Sequence, residues 1–373
     1  MQAKKIEVWY TRYPLAETWK PFWWRPGVRR SIADNTVVKI TTDDGIEGWG
    51  TSFDESPRNK QRIVEELWPR IDGKSPFRYE ELTAILNGAR SQGINPWAVD
   101  LALWDIVGKA AGQPVWALLG ANAPKAIPYA SCTTALSNEA RADSVRALID
   151  AGWVRCKIHL PPTRSLLDNL TYVQVAREAA GDKIRIAVDT HQFSDFPAWG
   201  RQGALFFGRQ LDQMGQFLWM EDCLPRNDYV GLQQLSEAVA TPISCGGISA
   251  SLVEIERLTR CLDQIQPGPG CNESIWTLRK MISVCEAHHT AYSPHTWSSL
   301  DAVAGLHVGA ATPAATSIEA HFDPPSQPVV LANCLLKEPL KFNKHDGTWD
   351  VPTRPGWGVE IDMQQVQKYE AFE

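Results

Sequence analysis

Ile184-Arg185-Ile186-Ala187-Val188-Asp189-Thr190-His191-Gln192, near the middle of the chain, is the stretch that decides the fold. Its β-branched and aliphatic residues predict a buried strand, which ends in a carboxylate and an imidazole. Side chains two residues apart point to the same face of a strand, so Asp189 and His191 should project into one space. A desolvated carboxylate without a partner is costly, which favours a polar site at this strand end. The alternative is a cap on the following helix, and the ends of the other strands decide between the two.

Length, composition and charge are those of an ordinary globular protein. The chain has 373 residues, of which 44% are hydrophobic and 21% charged. This is enough for two domains or one large α/β domain with a sizeable core. The formal net charge is −6, and no basic patch is interleaved with aromatic residues. We therefore expect neither nucleic acid nor a membrane surface as a partner.

The N-terminal residues and the cysteine spacing both predict a cytoplasmic protein. Residues Met1 to Val8 lack the apolar segment of a signal peptide, and no apolar run reaches the length of a bilayer span. The eight cysteines are scattered without CxxC spacing. They are expected to be reduced thiols, mostly buried.

The first part of the chain reads as an α+β domain. Strands are predicted over 4–10, 35–42 and 45–53, followed by helical segments between 58 and 119. Two prolines and a glycine interrupt the aromatic and basic stretch 19–30 between the first two strands. This stretch is interpreted as a lid over an anionic ligand, with an interface as the alternative. Its candidate substrate-binding residues are Trp23, Trp24, Arg25 and Arg29.

From residue 126 the pattern changes to repeated strand-then-helix units. Eight strand starts follow at intervals of about 20–35 residues, as a (β/α)8 barrel requires. They lie near Ile127, Val154, Ile184, Phe217, Thr241, Asp263, Thr290 and Ala315. An open doubly wound sheet is the alternative, but no glycine-rich phosphate motif follows the first of these strands. The predicted divisions are a capping domain at 1–125, a barrel at 126–325, and a segment at 326–373 that returns to the capping domain.

Six of the last seven predicted barrel strands end in, or just past, polar or ionisable residues. Core packing does not predict this, whereas a shared polar site at the carboxyl ends of the strands does. The side chains that carry the argument are Lys157, His159, Asp189, His191, Glu221, His295 and Glu319.

These residue types suit the removal of a proton next to a carboxylate. Asp189 and Glu221 are hard oxygen ligands for Mg²⁺, which would stabilise the charge left by the departing proton. Lys157, His159 and His295 are candidate bases, and nearby cations together with the metal are expected to lower the pKa of Lys157. Glu319, if held protonated, could donate a hydrogen bond to an enolate oxygen.

Three further motifs make the chain resemble the enolase superfamily, closest to the mandelate racemase / muconate lactonizing enzyme group. The hairpin around Asp43-Asp44-Gly45 resembles that of the family's capping domain. The helix Val99 to Ala110, with the following Pro114 and Leu118-Leu119-Gly120, resembles its most recognisable helix, and Asp346-Gly347 with Pro355 to Asp362 its C-terminal signature. Together these motifs span almost the whole chain. The resemblance implies a modified barrel with an α+β cap, Mg²⁺, and a dimer or octamer.

Roles follow from the resemblance position by position. Asp189 matches the first metal ligand and Glu221 the second. Lys157 with His159 matches the base motif of the second strand, and His295 the base of the seventh. Further, Glu319 matches the residue that stabilises the enolate. His191 resembles the histidine of acid-sugar dehydratases that helps a hydroxyl leave.

Two positions depart from the family pattern. Gly247 stands where a third metal ligand is expected, and Gly268 where a carboxylate should orient the histidine of the seventh strand. Neither Cys245, a soft ligand, nor Glu273, interpreted as a surface residue, is an obvious replacement.

The favoured function is the Mg²⁺-assisted dehydration of an acid sugar, a small-molecule carboxylate. A racemase or epimerase of a 2-hydroxy acid is the first alternative, with bases on opposite sides of the substrate. A barrel that binds an acid without turnover is the second, for which Gly247 and Gly268 are the evidence.

Overall fold

The computed structural model describes residues 1–16, 32–53, 56–161, 164–192, 199–215, 217–247, 251–270 and 274–371. The predicted lid residues Trp23, Trp24, Arg25 and Arg29 lie outside these ranges, as does Glu273.

The N-terminal part is an antiparallel three-stranded sheet against which helices pack. Its strands are β1 (Ala3–Pro14), β2 (Ile32–Thr42) and β3 (Glu47–Phe53), paired in that order. The helices are α1 (Arg58–Arg62), α2 (Tyr79–Ser91), α3 (Trp97–Ala110) and α4 (Val115–Leu119), with a π-helical turn at Ile63–Leu67 and a 3-10 turn at Trp68–Arg70. Glycine is required where α3 meets β3, since a Cβ on Gly48 or Gly50 would lie 2.1 or 1.9 Å from a carbonyl oxygen of α3.

The following part alternates strands and helices as predicted. After β4 (Lys125–Ala126), the strands are β5 (Pro128–Cys132), β6 (Arg155–His159), β7 (Arg185–Asp189), β8 (Phe217–Glu221), β9 (Ile243–Cys245), β10 (Gln264–Ile265), β11 (Ala291–Tyr292) and β12 (Ile318–His321). The intervening helices are α5 (Asn138–Asp150), α6 (Leu166–Ala180), α7 (Gly200–Met214), α8 (Tyr229–Ala238), α9 (Leu252–Thr259), α10 (Ile275–His288) and α11 (Ser299–Ala310).

These eight strands form one curled parallel sheet in the order β11-β10-β9-β8-β7-β6-β5-β12. A parallel bridge between Tyr292 and Ala315, just before β12, joins the two ends of the sheet. The Tyr292 amide donates to the Ala314 carbonyl at 2.8 Å, and the Thr316 amide donates to the Tyr292 carbonyl at 2.9 Å. The predicted fold class, a modified (β/α)8 barrel with an α+β cap, is confirmed.

The alternation of side chains along the strands separates the main core from the barrel interior. In β7, Ile186 and Val188 belong to the large apolar core between strands and helices. Ala187 instead joins Tyr129 and Trp219 in a small interior cluster. Two residues further along its strand, each of these three positions is followed by a polar residue, so the polar side chains form a layer above an apolar floor.

The C-terminal segment returns to the N-terminal sheet. It contains a 3-10 turn (Leu331–Asn333), β13 (Phe342–Asn343), β14 (Thr348–Asp350) and α12 (Met363–Lys368). The Arg12 amide donates to the Tyr369 carbonyl at 2.9 Å, and the Ala371 amide to the Tyr10 carbonyl at 2.8 Å. Among the described residues, no helix combines the length and the apolar character that a bilayer crossing requires.

Candidate functional site

The predicted site residues of four strands meet inside the barrel. Strand pairing places His159 beside Asp189, and Asp189 beside Glu221, at the carboxyl ends of β6, β7 and β8. Lys157 lies two residues before His159 on the same face of β6, and Glu319 enters from β12. All five residues are buried. Their inward orientation follows from the two-residue period of the strands.

Lys157 is the centre of this group. Its Nζ donates to Glu221 Oε1 at 2.7 Å and lies 3.1 Å from Glu319 Oε1 and 3.7 Å from Asp189 Oδ2. Burial alone would lower the pKa of Lys157, but the negative charges of Glu221 and Glu319 outweigh it and hold the pKa well above its ordinary value. The prediction of a lowered lysine pKa rested on nearby cations and a bound metal, whereas the neighbours that dominate in the protein alone are carboxylates. The Lys157 ammonium therefore lies between three carboxylates, those of Asp189, Glu221 and Glu319.

The surroundings of Glu319 favour its ionised form. Burial would raise its pKa, but the charge of Lys157 and the nearby His295 lower it below the ordinary value. The Thr296 amide also donates to Glu319 Oε2 at 3.2 Å, which favours the carboxylate. The interpretation of Glu319 as a hydrogen-bond donor depended on its being protonated, and the Lys157 cation beside it favours the carboxylate instead. The two residues form an ion pair.

Glu221 accepts from three donors. Besides Lys157, two side chains donate to Glu221 Oε2. Trp219 Nε1 does so at 2.8 Å and Gln266 Nε2 at 2.9 Å. Gln266 lies just after β10 and is 1% exposed. Sequence reasoning missed both Trp219 and Gln266 as members of the site. Trp219 could have been found, because it lies two residues before Glu221 and so shares its face.

Asp189 is enclosed by two imidazoles. His191 Nδ1 lies 2.5 Å from Asp189 Oδ1, and His159 Nδ1 lies 3.3 Å from Asp189 Oδ2. The rings of His159 and His191 are 5.2 Å apart. Burial lowers the pKa of His191 to about 4 and that of His159 well below its ordinary value, and it raises the pKa of Asp189. The predicted convergence of Asp189 and His191 on one space is present, with His159 beside them.

His295 packs against both unexpected glycines. A Cβ on Gly247 would lie 3.3 Å from Cδ2 of the His295 ring, and one on Gly268 would lie 1.7 Å from the His295 carbonyl oxygen. A side chain at position 268 is therefore excluded by the main chain of His295, whereas one at position 247 would need the His295 ring to shift by only a few tenths of an ångström. His295 Nε2 lies 3.8 Å from Glu319 Oε2, so a carboxylate of β12 is its nearest acidic neighbour among the described ion pairs.

Asp222 and Arg226 form a second charged pair at the end of β8. Arg226 donates through Nε to Asp222 Oδ1 at 3.3 Å and through Nη2 to Oδ2 at 2.9 Å. The side chains are 15% and 8% exposed, so the pair is largely desolvated. Asp222 has a φ of +49°, unusual for a residue other than glycine. The sequence suggested neither residue, since Asp222 lies next to Glu221 and would point away from it in a regular strand.

An aromatic stack connects the N-terminal sheet to the site. Trp297, after β11, stacks on Phe53 at the end of β3 with a centroid distance of 4.6 Å, and on His321 of β12 with a distance of 4.5 Å. His295 meets the Trp297 ring edge-on at 5.8 Å. Sequence patterns give no signal for this stack, because its members are far apart in the chain.

The acidic side chains fit a divalent cation. Asp189, Glu221 and Asp222 each offer an oxygen, and these atoms lie within 4.8 Å of one another. Together with the carboxylate of β12, they face the buried cation of Lys157 and the partly buried cation of Arg226. With all four acids ionised two negative charges remain, and a divalent ion would neutralise them and favour the ionised forms of Asp189 and Glu221, whose pKa values burial raises. Oxygen donors suit Mg²⁺, which completes its coordination with water or substrate oxygens.

Comparisons with known proteins agree with this architecture. Residues 140–366 match the family described as enolase C-terminal domain-like. Residues 19–120 match the N-terminal domain of mandelate racemase / muconate lactonizing enzyme.

Similar proteins include dehydratases. L-talarate/galactarate dehydratase of Salmonella typhimurium is 27% identical over an alignment of 345 positions, which covers 88% of this chain and 80% of that protein. A D-galactonate dehydratase family member of Catenulispora acidiphila is 25% identical over an alignment of 374 positions, which covers 89% of this chain and 84% of that protein.

Solved structures share the fold. The 3,6-anhydro-D-galactonate cycloisomerase from Zobellia galactanivorans has a TM-score of 0.82 at 24% identity, with 100% of both chains covered. A racemase from Streptomyces coelicolor A3(2) with bound magnesium has a TM-score of 0.84 at 21% identity, with 99% of this chain and 100% of that chain covered.

Proposed function

Because the chain belongs to the mandelate racemase / muconate lactonizing enzyme group of the enolase superfamily, we propose that it removes the proton next to a carboxylate and dehydrates an acid sugar. The observation that carries the proposal is the position of His191, 2.5 Å from Asp189 at the end of β7 and 20% exposed. A histidine there can reach a substrate that sits above the carboxylates.

Asp189 and Glu221 would hold Mg²⁺, which when bound stabilises the negative charge that develops on the substrate carboxylate. Lys157 remains an ammonium between Glu221 and Glu319 and keeps these acids close together. Its positive charge adds to the stabilisation of the enolate.

His295 is the base that the geometry supports best. It is 17% exposed at the side chain, against 6% for His159 and 1% for Lys157. Burial lowers its pKa, so the imidazole is neutral near pH 7 and can accept the proton. Glu319, 3.8 Å away, then stabilises the imidazolium that forms.

His191 is the acid of the proposed reaction. It donates a proton to the hydroxyl on the neighbouring carbon, so that the carbon–oxygen bond breaks and water leaves. An anionic substrate beside the ring favours the protonated imidazole that this step requires. The two similar proteins named above as dehydratases support this choice of reaction.

Racemisation or epimerisation of a 2-hydroxy acid is the second candidate. It is favoured by the positions of Lys157 and His295, which approach different oxygens of Glu319, at 3.1 and 3.8 Å. Such an enzyme needs a base on each face of the substrate, and Lys157 would have to lose its proton to serve as one.

A library of sugar acids and 2-hydroxy acids, incubated with the protein and Mg²⁺ in D₂O, tests the proposal. Dehydration gives a product that has lost one water, whereas racemisation exchanges the α-hydrogen for deuterium and keeps the hydroxyl. The His191→Asn variant should lose water elimination while retaining α-hydrogen exchange. If no acid exchanges its α-hydrogen and none is converted, although acids bind, the barrel is a binding protein and the proposed reaction is wrong.

A further inference from the structure

We propose that His159, Asp189 and His191 form a binding site for a divalent transition-metal ion of the zinc class, distinct from the oxygen site but sharing Asp189 with it. Each of the three residues offers one ligand atom, and these atoms lie within 4.8 Å of one another. The group combines two imidazoles with one carboxylate.

The donor atoms decide which metal such a site takes. Mg²⁺ prefers oxygen ligands, whereas imidazole suits Zn²⁺ and its first-row neighbours. Three protein ligands that include histidine and a carboxylate leave one position of a tetrahedral zinc site for water or substrate. Zinc bonds of about 2.0–2.2 Å hold two ligand atoms about 3.3 Å apart, and His159 Nδ1 is 3.3 Å from Asp189 Oδ2.

The second nitrogen of His159 is already anchored. His159 Nε2 and Ser131 Oγ are 3.1 Å apart, inside the barrel. Metal-binding histidines commonly use their other ring nitrogen for such a hydrogen bond, which fixes the direction of the ligating nitrogen. His159 is 5% exposed, so its ring cannot turn freely away from Asp189.

His191 closes the site from the solvent side. Its backbone amide donates to Asp189 Oδ1 at 3.1 Å, and its Nδ1 lies 2.5 Å from the same oxygen. The side chain is 20% exposed, which leaves a path by which an ion can enter and displace the proton between nitrogen and oxygen. A zinc ion bound there would require His191 Nδ1 and Asp189 Oδ1 to separate from 2.5 Å to about 3.3 Å, a movement that the partly exposed His191 ring can make toward the solvent.

The effect of Zn²⁺ on activity, unlike its binding, rests on the proposed function. Asp189 is shared, so Zn²⁺ and Mg²⁺ compete for it. Zn²⁺ also removes His191 from its role as the acid. Micromolar Zn²⁺ is therefore expected to inhibit dehydration even when Mg²⁺ is present in excess.

Calorimetric titration of the full chain, freed of metal by a chelator and dialysed, tests the site without any substrate. ZnCl₂ should bind at one site at least 100-fold more tightly than MgCl₂. His159→Gln and His191→Asn should each weaken Zn²⁺ binding at least tenfold and leave Mg²⁺ binding within about threefold of wild type. His288→Gln, at an exposed histidine at the end of α10, is the matched control and should bind Zn²⁺ as wild type does.

Cobalt provides a spectroscopic readout. Co²⁺ in a four- or five-coordinate site with imidazole ligands absorbs visible light more strongly than octahedral Co²⁺ surrounded by oxygens. The strong absorption should be present in wild type and His288→Gln and absent in both site variants.

Two results would overturn the inference. One is Zn²⁺ binding of equal strength in wild type and both site variants, which would place the ion elsewhere. The other is Zn²⁺ binding no tighter than that of Mg²⁺. Failure of the proposed function looks different, because Zn²⁺ and Co²⁺ would then still bind as described while no acid is converted.

Discussion

Gly268 lies so close to His295 that a Cβ at position 268 would come within 1.7 Å of the His295 carbonyl oxygen. At Gly247 the corresponding contact is 3.3 Å, and it is with a side-chain atom of the same histidine. The two departures from the family pattern thus meet at one residue. The carboxylate that usually orients this histidine cannot be restored by a single substitution, because main-chain atoms of His295 occupy its place.

Gly268→Ala should therefore destabilise the protein more than Gly247→Ala does. Forcing an extra methyl group against a rigid backbone costs about 1–3 kcal/mol or more, whereas a side chain can rotate away. We expect a loss of at least about 2 kcal/mol for Gly268→Ala and less than about 1 kcal/mol for Gly247→Ala. Urea unfolding of both variants measures the difference. Equal losses would contradict the position of His295.

The Lys157 ammonium should be essential for stability. Lys157→Met leaves the carboxylates of Asp189, Glu221 and Glu319 buried without the cation between them, which costs about 3–5 kcal/mol. Adding Glu221→Gln removes one of the unpaired charges and should recover at least about 1 kcal/mol of that loss. Chemical unfolding of wild type, both single variants and the double variant gives the coupling free energy between Lys157 and Glu221. Additive losses would mean that Lys157 and Glu221 do not form the pair described above.

Removal of the divalent metal should lower the stability of the folded protein, because the ion that Asp189 binds is lost. An ion that binds only the folded protein stabilises it by about 2.7 kcal/mol at a concentration 100 times its dissociation constant. Thermal unfolding with Mg²⁺ and then with a chelator should show this gain and its loss in wild type. Asp189→Asn should abolish the gain, whereas Glu338→Gln, at an exposed carboxylate, should keep it. A Mg²⁺ effect that persists in Asp189→Asn would exclude Asp189 as a ligand.

The sequence was informative where the signal is local. Runs of β-branched residues located the barrel strands, and their two-residue period predicted that Lys157, His159, Asp189 and Glu221 share one interior. The family motifs gave the same architecture. The divisions at 1–125, 126–325 and 326–373, and the roles of the site residues, stay predictions.

Features that depend on distances in three dimensions could not be predicted. The charge state of Lys157 depends on whether carboxylates or cations lie nearer to it, and the sequence does not give those distances. The bond from Gln266 to Glu221 and the packing of His295 against two glycines arise between strands that are distant in the chain. The same applies to the stack of Phe53 and Trp297.

A buried histidine far from the charged site should make the stability depend on pH. His307 is fully buried in α11, where its Nδ1 accepts from the Trp116 amide at 3.2 Å and its Nε2 donates to the Trp357 carbonyl at 3.1 Å. Burial lowers its pKa to about 3. In the unfolded chain the pKa is about 6.5, so between these values only the unfolded state binds the proton. Stability therefore falls as the pH drops below about 6.5, by up to about 1.4 kcal/mol per pH unit from this residue.

His307→Asn isolates that contribution. Asparagine can offer an oxygen near the position of Nδ1 but does not titrate, so the slope of the unfolding free energy between pH 4 and 6 should decrease by about 1.4 kcal/mol per unit. At pH 7.5 the variant should lose about 1 kcal/mol, because the bond to the Trp357 carbonyl is missing. Urea unfolding at several pH values measures both quantities. An unchanged slope would mean that His307 takes up a proton in the folded protein, and the two hydrogen bonds would then have to be assigned differently.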